Sequence, residues 1–254
     1  MNVETIEWMK MIHLIDRIQS MPFCIEKDAV IMGRGAINRD RFLWNLDRVN
    51  VFFLNSQPCP WALDYYKRKY PIWQQSLFAF LHAEHANDLQ AIQEFKVDII
   101  TWTPGTMKKL KTNNSSSACC DFLSRNLNGR NIYLCAFDFI SRMEWIFKIE
   151  ADGRRTWYLQ QKGFKGESQH LRSIIRPGAY RNRWYFVTPC PTMGDFYPEQ
   201  MSYELKARLL AEGVIDRELT EQEVEDEYRR AGITPSPEPG EAMRRQFNPH
   251  ICNT

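Results

Sequence analysis

The segment from Met143 to Gly163 constrains the fold most, because it reads as a β-hairpin whose register its own pattern selects. Met143, Trp145, Phe147 and Ile149 form one apolar row, and Trp157 and Leu159 complement it on the second arm. Glu144, Lys148 and Glu150 point the other way, as do Thr156, Tyr158, Gln160 and Lys162. A two-residue Asp152-Gly153 turn would set Trp145 against Gln160 and Phe147 against Tyr158, mixing the rows. A three-residue Ala151-Asp152-Gly153 loop, with Gly153 left-handed in a bulge, shifts the pairing by one. Lys148 then faces Thr156, Glu144 faces Gln160, and the apolar rows agree. A slip of one residue exchanges the two faces of a strand, so the three-residue register is expected.

Around this hairpin the apolar spacing predicts further elements. Residues 3–19 carry Ile6, Met9, Ile12, Ile15 and Ile18 at helical spacing, ended by Pro22. Short strands are expected at 28–32, at Val51–Leu54, at Val97–Trp102, at 131–138 and at 183–188. Helices are expected at 38–48, 61–69, 72–95, 118–127 and 167–175, and residues 103–117 read as a surface loop. Past residue 198 the pattern is helical again. Thr220 and Glu223 have the spacing of a capping box opening a helix that runs to about Ala231. The expected fold is α+β, a small mixed central sheet over residues 97–188 flanked by helices. Residues 1–198 would form the globular domain, and 199–254 a helical acidic appendage with a proline-rich linker at 234–240.

Composition narrows the function classes. Formal net charge is only +2, so bulk charge does not demand a polyanionic partner. Its distribution says more. Residues 162–183 hold Lys162, Lys165, Arg172, Arg176, Arg181 and Arg183 against the single acid Glu167, while residues 199–227 hold ten acids against three bases. Seven cysteines with no C-x-x-C pair fit neither a disulfide scaffold nor a zinc ribbon. The start Met1-Asn2-Val3-Glu4 is not a leader, and no apolar run approaches a membrane span. An intracellular, cytoplasmic protein is expected, from a cell, a virus or a mobile element.

In the expected register Glu144, Gln160 and Lys162 gather at one end of the hairpin's polar face. A carboxylate and an amide oxygen are hard ligands suited to Mg²⁺, and a lysine beside them can stabilise phosphate charge or position hydroxide. This arrangement, strand, Asp-Gly turn, strand, Lys-Gly, basic segment and strand, resembles the core of PD-(D/E)xK-type nucleases over about twenty residues. The end-cutting subunit of heteromeric transposases is a member of that group in which Gln replaces the motif's acid. The resemblance implies a Mg²⁺-dependent nuclease with Glu144, Gln160 and Lys162 as catalytic residues. Glu144, Gln160 and an upstream acid, Glu84 or Glu94, would be the metal ligands. The sequence departs from that pattern at Glu144, where Asp is usual, and at Met143, where Pro is usual.

A second reading needs no catalysis. Lys165, Arg172, Arg176, Arg181, Arg183 and Trp184 interleave bases with a ring, and cations neutralise phosphates while rings stack on bases. A binding or regulatory protein could touch nucleic acid there and a protein partner through the acidic helices of 199–231; a structural subunit of a larger assembly is a third reading. Other constellations fall short. His82-Ala83-Glu84-His85 lacks the Pro-Cys-x-x-Cys that zinc deaminases need, since Pro189-Cys190 is followed by Pro191, Thr192 and Met193. Gly33-Arg34-Gly35 and Pro104-Gly105 do not match a phosphate loop, and no Gly-x-Ser-x-Gly elbow is present. Cys119, Cys120 or Cys135 could act as a nucleophile with His170, and nothing in their spacing favours that over buried thiols.

Overall fold

The computed structural model describes residues 12–15, 20–34, 40–82, 95–103, 115–137, 143–149, 155–161, 180–187, 199–200 and 203–232. Its elements in chain order are β1 (Ile12–Leu14), β2 (Asp28–Met32), β3 (Phe42–Trp44), β4 (Val49–Leu54), α1 (Pro60–Lys69), β5 (Leu77–His82), β6 (Asp98–Trp102), α2 (Ser115–Asn126) and β7 (Asn131–Cys135). There follow β8 (Met143–Ile149), β9 (Arg155–Gln161), β10 (Arg183–Phe186), β11 (Glu199–Gln200), α3 (Tyr203–Ala211), β12 (Ile215–Glu218) and α4 (Glu221–Arg230). The fold is α+β, a central sheet flanked by helices.

The central sheet has eight strands in the order β1-β6-β5-β4-β2-β7-β10-β11. Every pairing within it is parallel. Parallel strands covered on both faces must be apolar on both, and these are. Val30, Val51, Ala79, Ile99 and Tyr133 face one core cluster, while Ile31, Phe52, Phe80, Ile100 and Leu134 face the other. Helix α1 covers the first face with Ala62, Leu63 and Tyr66. Helix α2 covers the second with Ala118, Cys119, Phe122 and Leu123, which recur at helical spacing.

Two small antiparallel sheets complete the architecture. β3 pairs with β12, Trp44 lying opposite Ile215. β8 pairs with β9, with Glu144 opposite Gln160, Lys148 opposite Thr156 and Phe147 opposite Trp157. That is the register expected from the binary pattern.

Several elements differ from expectation. The sheet reaches well before residue 97, taking in Ile12–Leu14, Asp28–Met32, Val49–Leu54 and Leu77–His82. Within the expected helix 72–95, residues 77–82 are strand β5. Leu77, Phe78, Ala79, Phe80 and Leu81 are all buried, so both faces are apolar, as a central parallel strand requires. In the expected helix 3–19, residues 12–14 form the edge strand beside β6. In the expected helix 38–48, residues 42–44 form β3, held by the backbone of β12. Helix α2 begins at Ser115, inside the stretch read as a loop.

The C-terminal segment holds the two helices expected of it, and the capping box is made: Thr220 accepts from the Glu223 N–H at 3.2 Å, and Glu223 from the Thr220 N–H at 2.8 Å. Its apolar side joins the first core cluster through Leu205, Leu209, Val214, Ile215 and Tyr228. Asn45 fixes it further, donating from Nδ2 to the Gly213 carbonyl at 2.8 Å, where Gly213 takes a φ of 67° that favours glycine. Its acids are engaged by neighbouring cations: Glu218 by Arg41 at 2.7 Å and Lys206 at 3.1 Å, Asp216 by Lys69 at 2.8 Å, and Glu223 by Arg217. No helix among the described residues is long and apolar enough to cross a membrane.

Candidate functional site

The strand order holds the main clue. From β2 the chain steps outward through β4, β5 and β6, then returns through α2 to place β7 on the other side of β2. Order therefore reverses between β2 and β7. In open parallel sheets the connections at such a point diverge and leave a crevice outside the carboxyl ends of the two strands.

The described residues around this crevice come from five strand ends. Gly33 follows β2. Its N–H donates to the Cys135 carbonyl at 2.8 Å, and a Cβ added there would lie 2.5 Å from the Ala136 carbonyl oxygen. Only glycine lets the exits of β2 and β7 approach this closely. Ala136 takes a φ of 59° and Asn55, just past β4, a φ of 44°. Left-handed non-glycine residues are uncommon, and sparsely populated backbone of this kind clusters at functional sites. The Asn55 N–H donates to the Phe80 carbonyl at 2.9 Å, and its own carbonyl accepts from Arg34 Nη1 at 3.1 Å. The Arg34 side chain thus spans from the end of β2 to the end of β4.

A side-chain relay continues outward. Ser115 Oγ, in the first turn of α2, donates to Asn55 Oδ1 at 3.2 Å and accepts from Trp102 Nε1 at 3.2 Å. His82, at the end of β5, sets its ring edge-on to Trp102, with centroids 4.2 Å apart and planes at 82°. Ser56 and Gln57, next to Asn55, are buried polar residues. The α2 N-terminus, with Ser115 and Ser117, therefore points to the same end of the sheet as Gly33 and Asn55, presenting backbone N–H groups and the positive end of a helix dipole.

The residues singled out from sequence are spread over other parts of the molecule. Glu144 and Gln160 are brought opposite one another on the β8–β9 ribbon, which pairs with no strand of the central sheet among the described residues. Lys162, Glu84, Glu94, Lys165, Arg172, Arg176 and His170 lie outside the described residues, as does the linker at 234–240. Arg181 and Arg183 are exposed at the amino end of β10, the end of the sheet opposite the crevice. Trp184 is 8% exposed and packs in the second core cluster, so its ring is engaged in packing and offers no open face for a base. Cys119 and Cys120 are wholly buried, and burial pushes both thiols up, which makes them inert. Among the described residues no group of three or more His, Cys, Asp or Glu is placed to hold a metal ion.

Sequence reading weighed Gly33-Arg34-Gly35 only as a phosphate-loop match and passed over Asn55, Trp102, Ser115 and Ala136. A signal for them was present. The apolar runs 28–32, 49–54, 77–81, 98–102 and 131–135, taken together, are the pattern of a parallel sheet, and a glycine directly follows the first. Reading 72–95 as one helix removed a strand from that series. No protein-family model matches the chain, and neither a curated protein nor a solved structure matches it significantly.

Proposed function

We propose that this chain binds a nucleotide-type small molecule in the crevice outside the carboxyl ends of β2 and β7. One observation carries the reading: the strand order reverses between these two strands, and Gly33 brings their exits together. The α2 N-terminus and the Arg34 guanidinium supply positive potential there, which suits phosphate. Asn55, Ser115 and Trp102 supply polar and aromatic groups that suit a base or a sugar. Titration calorimetry with the four common ribonucleosides and their mono- and diphosphates tests it. Binding of at least one nucleotide, weakened tenfold or more in a folded Gly33→Ala variant, is the expected result; no binding across the panel refutes it.

A second reading keeps a specific observation of its own. The pairing of Glu144 with Gln160 supports a nuclease site on the β8–β9 ribbon. Mg²⁺ would be held by Glu144, Gln160 and Glu84, with Lys162 beside the phosphate. Cleavage of DNA or RNA with Mg²⁺ that stops with EDTA and in Lys162→Ala would support it. Intact nucleic acid under all conditions would remove it.

A further inference from the structure

The crevice contains one fully charged side chain among its described residues, and we infer that this residue, Arg34, selects ligands that carry a phosphate. The inference rests on the proposed nucleotide site and assigns its charge discrimination. Gly33, Asn55, Ser56, Gln57, Trp102, Thr103, Ser115, Ser117, Ala136 and Phe137 carry no formal charge. The nearest acid along the chain, Asp40, is turned into the protein: it is 6% exposed and accepts from Cys59 Sγ at 3.1 Å and from the Tyr228 hydroxyl. Arg34 is half-buried, and its Nη1 bond to the Asn55 carbonyl fixes where the guanidinium sits. That carbonyl belongs to a residue whose backbone is set by the Phe80 bond, and whose side chain is set by Ser115. The cation is thus held by the same residues that define the crevice. Its charge persists at any working pH, and partial burial strengthens its pull on an anion relative to bulk water.

The consequence is a ligand preference with a definite sign. Hydrogen bonds to a charged partner contribute roughly 1.5–3 kcal/mol, about 10–150-fold in affinity, and an uncharged ligand does not gain that share. The test compares a nucleoside with its own 5′-monophosphate, and with inorganic phosphate, on the wild-type chain, Arg34→Gln and Arg34→Lys, with unfolding midpoints measured alongside. The wild type should prefer the monophosphate by about 10-fold or more, and raised salt should erode that preference. Arg34→Gln should lose it while keeping nucleoside affinity within about threefold. Arg34→Lys should fall between, since it keeps the charge and loses the planar fork. If Arg34→Gln does not fold, the lysine variant and the salt dependence decide. Equal affinity of the wild type for nucleoside and monophosphate would overturn the assignment while leaving the nucleotide site standing. An equal loss of both ligands in Arg34→Gln would do the same, showing a positioning role only. Inorganic phosphate binding as tightly as the nucleotide would overturn it as well, and a wild type that binds none of them would remove the site itself.

Discussion

Gly33 and Ser115 are the residues on which the crevice geometry turns. Gly33→Ala would set a methyl carbon 2.5 Å from the Ala136 carbonyl oxygen, a backbone atom that cannot swing aside. Forced overpacking of this kind costs about 1–3 kcal/mol, so thermal unfolding should move down by roughly 2–9 °C in a chain of this size. An unchanged midpoint would mean that the two strand exits are free to separate. Ser115→Ala removes one hydroxyl and strands two buried groups, the Trp102 indole N–H and the Asn55 amide oxygen. A loss of about 1–3 kcal/mol is expected by denaturant titration. Tyr66 gives a pH test. Burial holds its phenol well above its usual range, against a smaller opposing effect of the Trp44 N–H that it accepts. The unfolded chain therefore loses its proton first, near pH 10, while the folded chain keeps it. Stability is fully present below that pH and falls as pH rises above it, by up to about 1.4 kcal/mol per pH unit for this group. Denaturant midpoints at pH 8 and pH 11 should show a drop that is smaller in Tyr66→Phe; an identical drop in both would place the alkaline loss on other groups.

At the scale of elements, the parts legible in the sequence were those whose signal is local. The β8–β9 register followed from alternation alone, because only one pairing put Trp145, Phe147, Trp157 and Leu159 on one face. The α4 start followed from Thr220 and Glu223, two residues three apart that satisfy each other's backbone N–H. Thr220→Ala should cost about 0.5–2 kcal/mol, read as a drop in the unfolding midpoint, with little effect on any ligand binding. Strands β5, β3 and β1 were not legible, for a shared reason. A strand buried on both faces has no alternation to show, and Leu77–Leu81 reads equally well as a buried helix segment. The three residues of β3 are a strand only because Ile215, Arg217 and Glu218 lie alongside them, far along the chain. The crevice was invisible for the same cause: it exists only once the order of the parallel strands is known.

For the molecule as a whole, the sheet divides the residues of interest by position. Arg34, Asn55, Trp102 and Ser115 gather at the carboxyl ends of the strands, while Arg181 and Arg183 stand at the amino ends. The ribbon bearing Glu144 and Gln160 is inserted between β7 and β10. A nucleotide held in the crevice and a nucleic acid cleaved on the ribbon thus make different footprints. Amide hydrogen exchange, with and without the tightest-binding mononucleotide of the panel, tests the central claim most directly. The account predicts slowed exchange in peptides covering Gly33–Arg34, Asn55–Gln57 and Ser115–Ala118, with peptides covering 143–161 and 180–187 unchanged. Slowed exchange confined to 143–161 or 180–187, with the crevice peptides unaltered, would contradict it.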